Sequence, residues 1–151
     1  KKNGMKSTPS ARHRARKLAV QALYQLHFLQ ASPSQVIKEF LEDNDLKRAD
    51  VAYFEALVLG VSQQKAALWH TVCELLDREP EQIDPVEKSI LLLGAFELSA
   101  HMEIPFKVVI TESVDLAKIF GATDSYKYVN SILDRLATTF RSIEVGALQV
   151  R

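Results

Sequence analysis

Apolar residues return at i, i+3, i+4 and i+7 in every long segment of this chain, and none alternates as a half-buried strand requires. The period leaves an all-α fold of six or seven helices. At 151 residues the chain can bury a core of its own as one domain. Residues 1–9, polar and basic with Gly4 and Pro9, read as a flexible arm. Ser10 is the expected N-cap of a first helix running to about Leu29, with Ala15, Leu18, Ala19, Ala22, Leu26 and Leu29 on its core face. Ser32-Pro33-Ser34 stops it and caps a shorter helix over Val36, Ile37, Phe40 and Leu41, and residues 42–48 read as a turn. A longer pattern runs from about Asp50 through Tyr53, Phe54, Leu57, Val58 and Val61 to Leu76, with Gly60 as a bend or break.

The clearest punctuation follows at Glu79-Pro80-Glu81 and Asp84-Pro85-Val86-Glu87. The second run combines an Asp N-cap, a proline at the first helical position and a Glu three residues after the cap. The helix it opens is apolar on all sides across residues 90–96, so it must be covered all round, and Gly94 suits a close crossing there. Pro105 opens a helix to Phe120 with Gly121 at its C-cap. Thr123-Asp124-Ser125 caps a last helix to about Arg141, with Val129, Ile132, Leu133, Leu136 and Phe140 inward. The tail beyond it carries no readable pattern. One domain over residues 10–145 is expected, its halves at about 10–78 and 84–141.

Most chemistries lack their residues. The five glycines are isolated, so there is no phosphate-cradling loop and no cofactor is implied. His13, His27, His70 and His101 have no metal-ligand spacing, and His101 reads as a cation at a helix C-terminus. The single Cys73, set among apolar neighbours, reads as a buried structural thiol in a reducing compartment. Glu97, inside the most apolar helix, reads as paired with a buried donor rather than as a general base. No catalytic constellation emerges, and the chain is not expected to be an enzyme. The apolar stretches are too short or too interrupted for a signal peptide or a membrane span, so a cytoplasmic protein is expected.

Charge points to a ligand. The 19 basic and 19 acidic residues cancel, yet eight basic and no acidic side chains lie in residues 1–38. A +8 segment therefore precedes a −8 remainder, an asymmetry that suits a polyanion-binding arm. At 100° per residue, His13, Lys17, Tyr24 and Phe28 fall opposite the core face of the first helix, with Arg14 and Arg16 flanking them. Either a second helical layer covers the two aromatics, the weightier reading for Phe28, or they stack unpaired bases beside a cationic groove. On the last helix Tyr128 lies off the core stripe, near Lys127 and on the side of Arg135. Single-stranded RNA suits this mixture better than duplex DNA, for which no reading motif is present.

Several ordered segments resemble the bacterial NusB family of transcription antitermination factors. They are Ala11-Arg-His-Arg-Ala-Arg-Lys-Leu-Ala-Val-Gln-Ala-Leu-Tyr24, Asp50-Val-Ala-Tyr-Phe54, Leu57-Val-Leu-Gly-Val61 and Val86-Glu-Lys-Ser-Ile-Leu91. Phe96-Glu-Leu98, Ile104-Pro-Phe-Lys-Val-Val-Ile110, Asp115-Leu-Ala-Lys-Ile-Phe-Gly121 and Tyr128-Val-Asn-Ser-Ile-Leu-Asp134 continue the match in the family's order. The resemblance implies two perpendicular three-helix sub-bundles. It also implies binding of boxA RNA jointly with ribosomal protein S10 (NusE), in indirect association with the RNA polymerase elongation complex. By this resemblance Arg12, His13, Arg14, Arg16, Lys17, Tyr24, Lys127 and Tyr128 lie beside the RNA, and Glu87 faces the basic S10. His13 replaces a usual Arg, Leu92 a usual Arg, Thr111 a usual Asn and Ser131 a usual Gly. The runner-up is the RNA-binding front domain of a ribosomal RNA cytosine methyltransferase, for which no cofactor-binding βα segment is present. A membrane-surface helix is the weakest reading, and self-association to a homodimer stays open.

Overall fold

The computed structural model describes residues 7–149, and among them the structure is all-helical. Its elements are α1 (Pro9–Phe28), α2 (Pro33–Asp43), α3 (Val51–Cys73), a 3-10 turn (Pro80–Gln82), α4 (Pro85–Ala100), α5 (Phe106–Phe120), α6 (Ser125–Phe140) and α7 (Ser142–Gln149). The described residues divide into two compact units, one ending at Gln63 and the other beginning at Gln64. Residues 1–6 of the expected arm lie outside the described residues.

In the first unit, α1 begins earlier than expected. Thr8, not Ser10, is the N-cap, its hydroxyl accepting from the Ala11 amide, and Pro9 occupies the first helical turn. Proline lacks the amide that would go unsatisfied there, so it starts the helix rather than ending an arm. The buried face comprises Ala11, Ala15, Ala19, Val20, Ala22 and Leu23, together with Arg16. Leu26 is only half-buried and Leu29, the C-cap, is half exposed. The stripe is thus rotated from the expected one. Asp50 caps α3 through the Tyr53 amide, and its own amide donates to the Ala11 carbonyl of α1. Phe40 of α2 meets Phe54 of α3 with ring centroids 5.9 Å apart. Gly60 does not break α3, which is continuous through it.

In the second unit α4, α5 and α6 pack against one another. Asp84 caps α4 by accepting from the Glu87 amide at 2.9 Å. As its composition demanded, α4 is buried without a break from Ser89 to Leu98. A Cβ on Gly94 would stand 2.8 Å from a Leu133 methyl of α6 and 3.0 Å from Ser113 Oγ of α5, so glycine lets three helices meet there. Gly121 caps α5 in an extended conformation open to any residue; it is small because a Cβ would press on the Ala117 carbonyl at 2.7 Å. Cys73 is half-buried rather than buried, and burial pushes its thiol pKa up against the pull of Lys88, so it is not a thiolate.

Arg141 closes the unit. Its guanidinium, 4% exposed, donates to the carbonyls of Leu98 (2.7 Å), Ile104 (2.9 Å), His101 (2.9 Å) and Glu97 (3.3 Å) and pairs with Glu144 at 2.7 Å. The cation at the α4 C-terminus is therefore Arg141; His101 is the C-cap residue, its ring nitrogen 2.9 Å from Glu103. Glu144 belongs to α7, in the tail that carried no pattern, and its other oxygen accepts from the Phe106 amide that starts α5. Burial raises the Glu144 pKa, but the Phe106 amide and Arg141 outweigh it and hold the carboxyl below its usual range. Its contribution is present while it is ionised and is lost as the pH falls.

Arg141→Lys replaces a planar fork by one point charge and leaves buried carbonyls unpaired, so urea unfolding should show a loss of about 3 kcal/mol. The stability difference between the parent and Glu144→Gln should shrink as the pH falls through and below the ordinary carboxylate range, measured by urea midpoints at each pH.

Candidate nucleic-acid interface

The basic N-terminal segment resolves into two faces of α1. On one, Arg12 and Arg16 both lie over the ring of Tyr53, at 4.9 and 5.5 Å from its centroid. Arg12 Nε also donates to Ser7 Oγ, which donates on to Asp50 at 2.6 Å. Arg16 is only 3% exposed. Its guanidinium lies over the Tyr53 ring, an arrangement that tolerates burial of the charge. Arg16 is thus first a packing residue of the unit, and Arg12 carries the accessible part of this cluster.

On the other face, Arg14 is exposed and Lys17 half-exposed, with no side-chain partner for either among the described residues. With Gln21 they line a groove against Asn44 and Asp45 of the α2–α3 connection. His13 lies between the two faces, half-exposed, with a partner of its own. Further along α1, Tyr24 is 40% and Phe28 60% exposed, their rings edge to face at 5.1 Å. No helix of the described residues covers Phe28, contrary to the weightier expectation for it. The exposed pair extends the α1 surface with aromatic faces.

In the second unit, Tyr128 and Glu87 are linked through Arg78, a side chain absent from the expected set, and Glu87 is also held by Ser125, while Lys127 stands apart from them. The Arg78 guanidinium lies 3.8 Å over the Tyr128 ring. Ser125 at the start of α6 donates to Glu87 Oε2 at 2.6 Å, while Arg78 stands 4.0 Å from Glu87 Oε1. Glu87 is buried, so it ties α4 to α6 instead of presenting an open carboxylate. The Tyr128 hydroxyl is buried beside Asp77 without a well-formed hydrogen bond. Burial pushes this phenol up, against the pull of Arg78, so it remains neutral. Lys127 is exposed, 3.6 Å from Asp124, and with Lys118 it flanks the Tyr126 ring, at 6.0 and 4.9 Å. Arg78 and Tyr126 had no periodic signature: one sits in an irregular connection, and the other is a single aromatic at a helix start.

Among the described residues no three His, Cys, Asp or Glu side chains gather as a metal site, and Ser89 and Ser113 bond to carbonyls of their own helices. Cationic and aromatic surface is what this chain offers. The NusB family model matches residues 13–138. The chain belongs to the NusB family. It is 45% identical over 145 residues to the transcription antitermination protein NusB of Alcanivorax borkumensis, covering 96% of this chain and 97% of that one. To the protein of the same name from Hahella chejuensis it is 46% identical over 143 residues, covering 95% and 96%. A solved structure of T. maritima NusB shares the fold with a TM-score of 0.77 at 28% identity, over 89% of this chain and 93% of that one. The NusB family is one of antitermination factors and not of enzymes. No described helix is long and apolar enough to cross a membrane.

Arg14 and Arg16, two positions apart in one turn of α1, should behave oppositely in this family member. Arg16→Ala, which empties a buried site against Tyr53, should cost about 1–3 kcal/mol in urea unfolding, and Arg14→Ala less than about 0.5 kcal/mol.

Proposed function

We propose that this protein is an RNA-binding transcription antitermination factor that takes boxA RNA together with ribosomal protein S10 and promotes processive transcription of ribosomal RNA operons. The observation that carries the reading is the pair Arg14 and Lys17 on α1, with no side-chain partner among the described residues, on the helix that also exposes Tyr24, in a member of a family whose relatives are antitermination proteins. Cations without intramolecular partners are free to replace the counterions of a phosphate backbone. Arg12, His13 and Arg16 would add to the field of that face, and Lys127 with Tyr128 would meet the RNA from α6. Tyr128 has one ring face taken by Arg78, so at that place a base would stack on the guanidinium plane or on the remaining ring face. Glu87 would lie under the surface facing S10, fixing Arg78 and the start of α6. The negative balance of residues 39–151 suits a basic partner. Such a role places the protein in the cytoplasm with the elongating polymerase. The match to nearly the full length of antitermination relatives favours this reading over the front domain of a methyltransferase.

A gel shift with boxA and scrambled RNA, with and without S10, tests the function: boxA should be preferred when S10 is present, and equal binding of the two RNAs would sink the proposal. Arg14→Ala should lower the slope of log affinity against log salt by about 0.7, the value for one phosphate contact on a single strand.

A further inference from the structure

The groove between α1 and the α2–α3 connection has a composition that phosphate binding alone does not explain. It encloses about 190 Å3, less than the roughly 300 Å3 at which drug-sized pockets begin, so it holds one planar ring system and not a run of nucleotides. Its lining includes Arg14 and Lys17, yet also Asp45, whose negative charge repels a phosphate. Two acceptors are oriented by their own backbone. Asn44 Nδ2 donates to the Phe40 carbonyl at 3.0 Å, which leaves Oδ1 as the acceptor. Asp45 Oδ1 accepts from the Lys47 amide at 3.1 Å and keeps a second lone pair, and Oδ2 has no hydrogen bond to a described residue, so both oxygens can accept from a ligand. Gln21 is held similarly, donating to the Lys17 carbonyl at 3.3 Å. Leu18 and Ala49 supply apolar lining against which a ring can lie.

We propose that this groove receives the base of one guanosine of single-stranded RNA, read by Asp45 and Asn44, with Arg14 and Lys17 on the flanking phosphates. Guanine alone presents a ring N–H and an exocyclic amine side by side on its Watson–Crick edge, two donors that a carboxylate accepts together. Uracil sets its single N–H between two carbonyls, and adenine and cytosine place a ring acceptor beside the amine; both arrangements bring lone pairs against Asp45. Single-stranded RNA can turn a base out to reach such a groove, whereas a duplex hides that edge. The assignment rests on RNA as the ligand of α1 and adds a base-reading site to it.

The test uses the full chain and two oligouridylates, one carrying a central guanosine and the other inosine, which lacks only the exocyclic amine. Affinities are measured at two salt concentrations for the parent and for Asp45→Asn, a change that keeps the acceptor for the Lys47 amide. The parent should bind the guanosine RNA about ten-fold more tightly than the inosine RNA, and Asp45→Asn should bring the two within about two-fold. The Leu18 methyl and Asn44 side-chain amide resonances should shift with the guanosine RNA. Salt-dependent binding with the same guanosine-to-inosine ratio in parent and variant would overturn the base-reading site and leave the RNA function standing. No salt-dependent binding to either RNA would overturn both.

Discussion

A single guanidinium holds the second unit together. The last carbonyls of a helix have no intrahelical donor, and at the end of α4 they are buried where water cannot serve them. Arg141 donates to the carbonyls of Leu98 at the end of α4 and Ile104 just before α5, and adds a second donor to those of Glu97 and His101, which also accept from the His101 and Ile104 amides. Its charge is balanced by Glu144, whose second oxygen caps the first amide of α5. The ends of α4 and α6 and the start of α5 thus share one polar cluster. Burying an ion is costly unless every bond is made, and here the geometry makes them. Tyr128, Ser125 and Lys127 ride on the helix that this cluster anchors at its far end.

The first unit divides its charge by the same logic of partnership. Arg12 and Arg16 lie on Tyr53, while Arg14 and Lys17, on the other side of α1, have none of these contacts. A cation already engaged contributes to fold and to field; a cation without a partner is available to a ligand. The same distinction separates Glu87, buried with Ser125 and near Arg78, from Asp45, exposed in the groove and bonded only to the Lys47 amide among the described residues.

Much of the helical order was legible in the residues. The Asp84-Pro85 start of α4, its all-round burial and the close crossing at Gly94 follow from cap chemistry and from an apolar run with no polar face. The misplaced features have physical causes. Thr8 displaced Ser10 because Pro9 fits the first helical turn, and Gly60 stayed helical because the buried neighbours Leu57, Val58 and Val61 outweigh its propensity. Helix α7 was missed because its register is held by Glu144 bonding outside its own helix. In the site, the cationic and aromatic residue types were evident, but not their sorting. Arg16 sits two positions from Arg14 and is nonetheless buried, since 200° of helix rotation separates them.

What the sequence by itself determined is the helical class, most element starts and the polarity of the chain, basic first and acidic after. These depend on local periodicity, caps and counts of charge, which need no neighbour from afar. The tertiary structure decided which charges are engaged and which remain open to a ligand. That depends on contacts between residues distant in the chain, such as Arg16 with Tyr53, Ser125 with Glu87 and Arg141 with the end of α4. A side chain's partner is set by packing, and packing is not periodic.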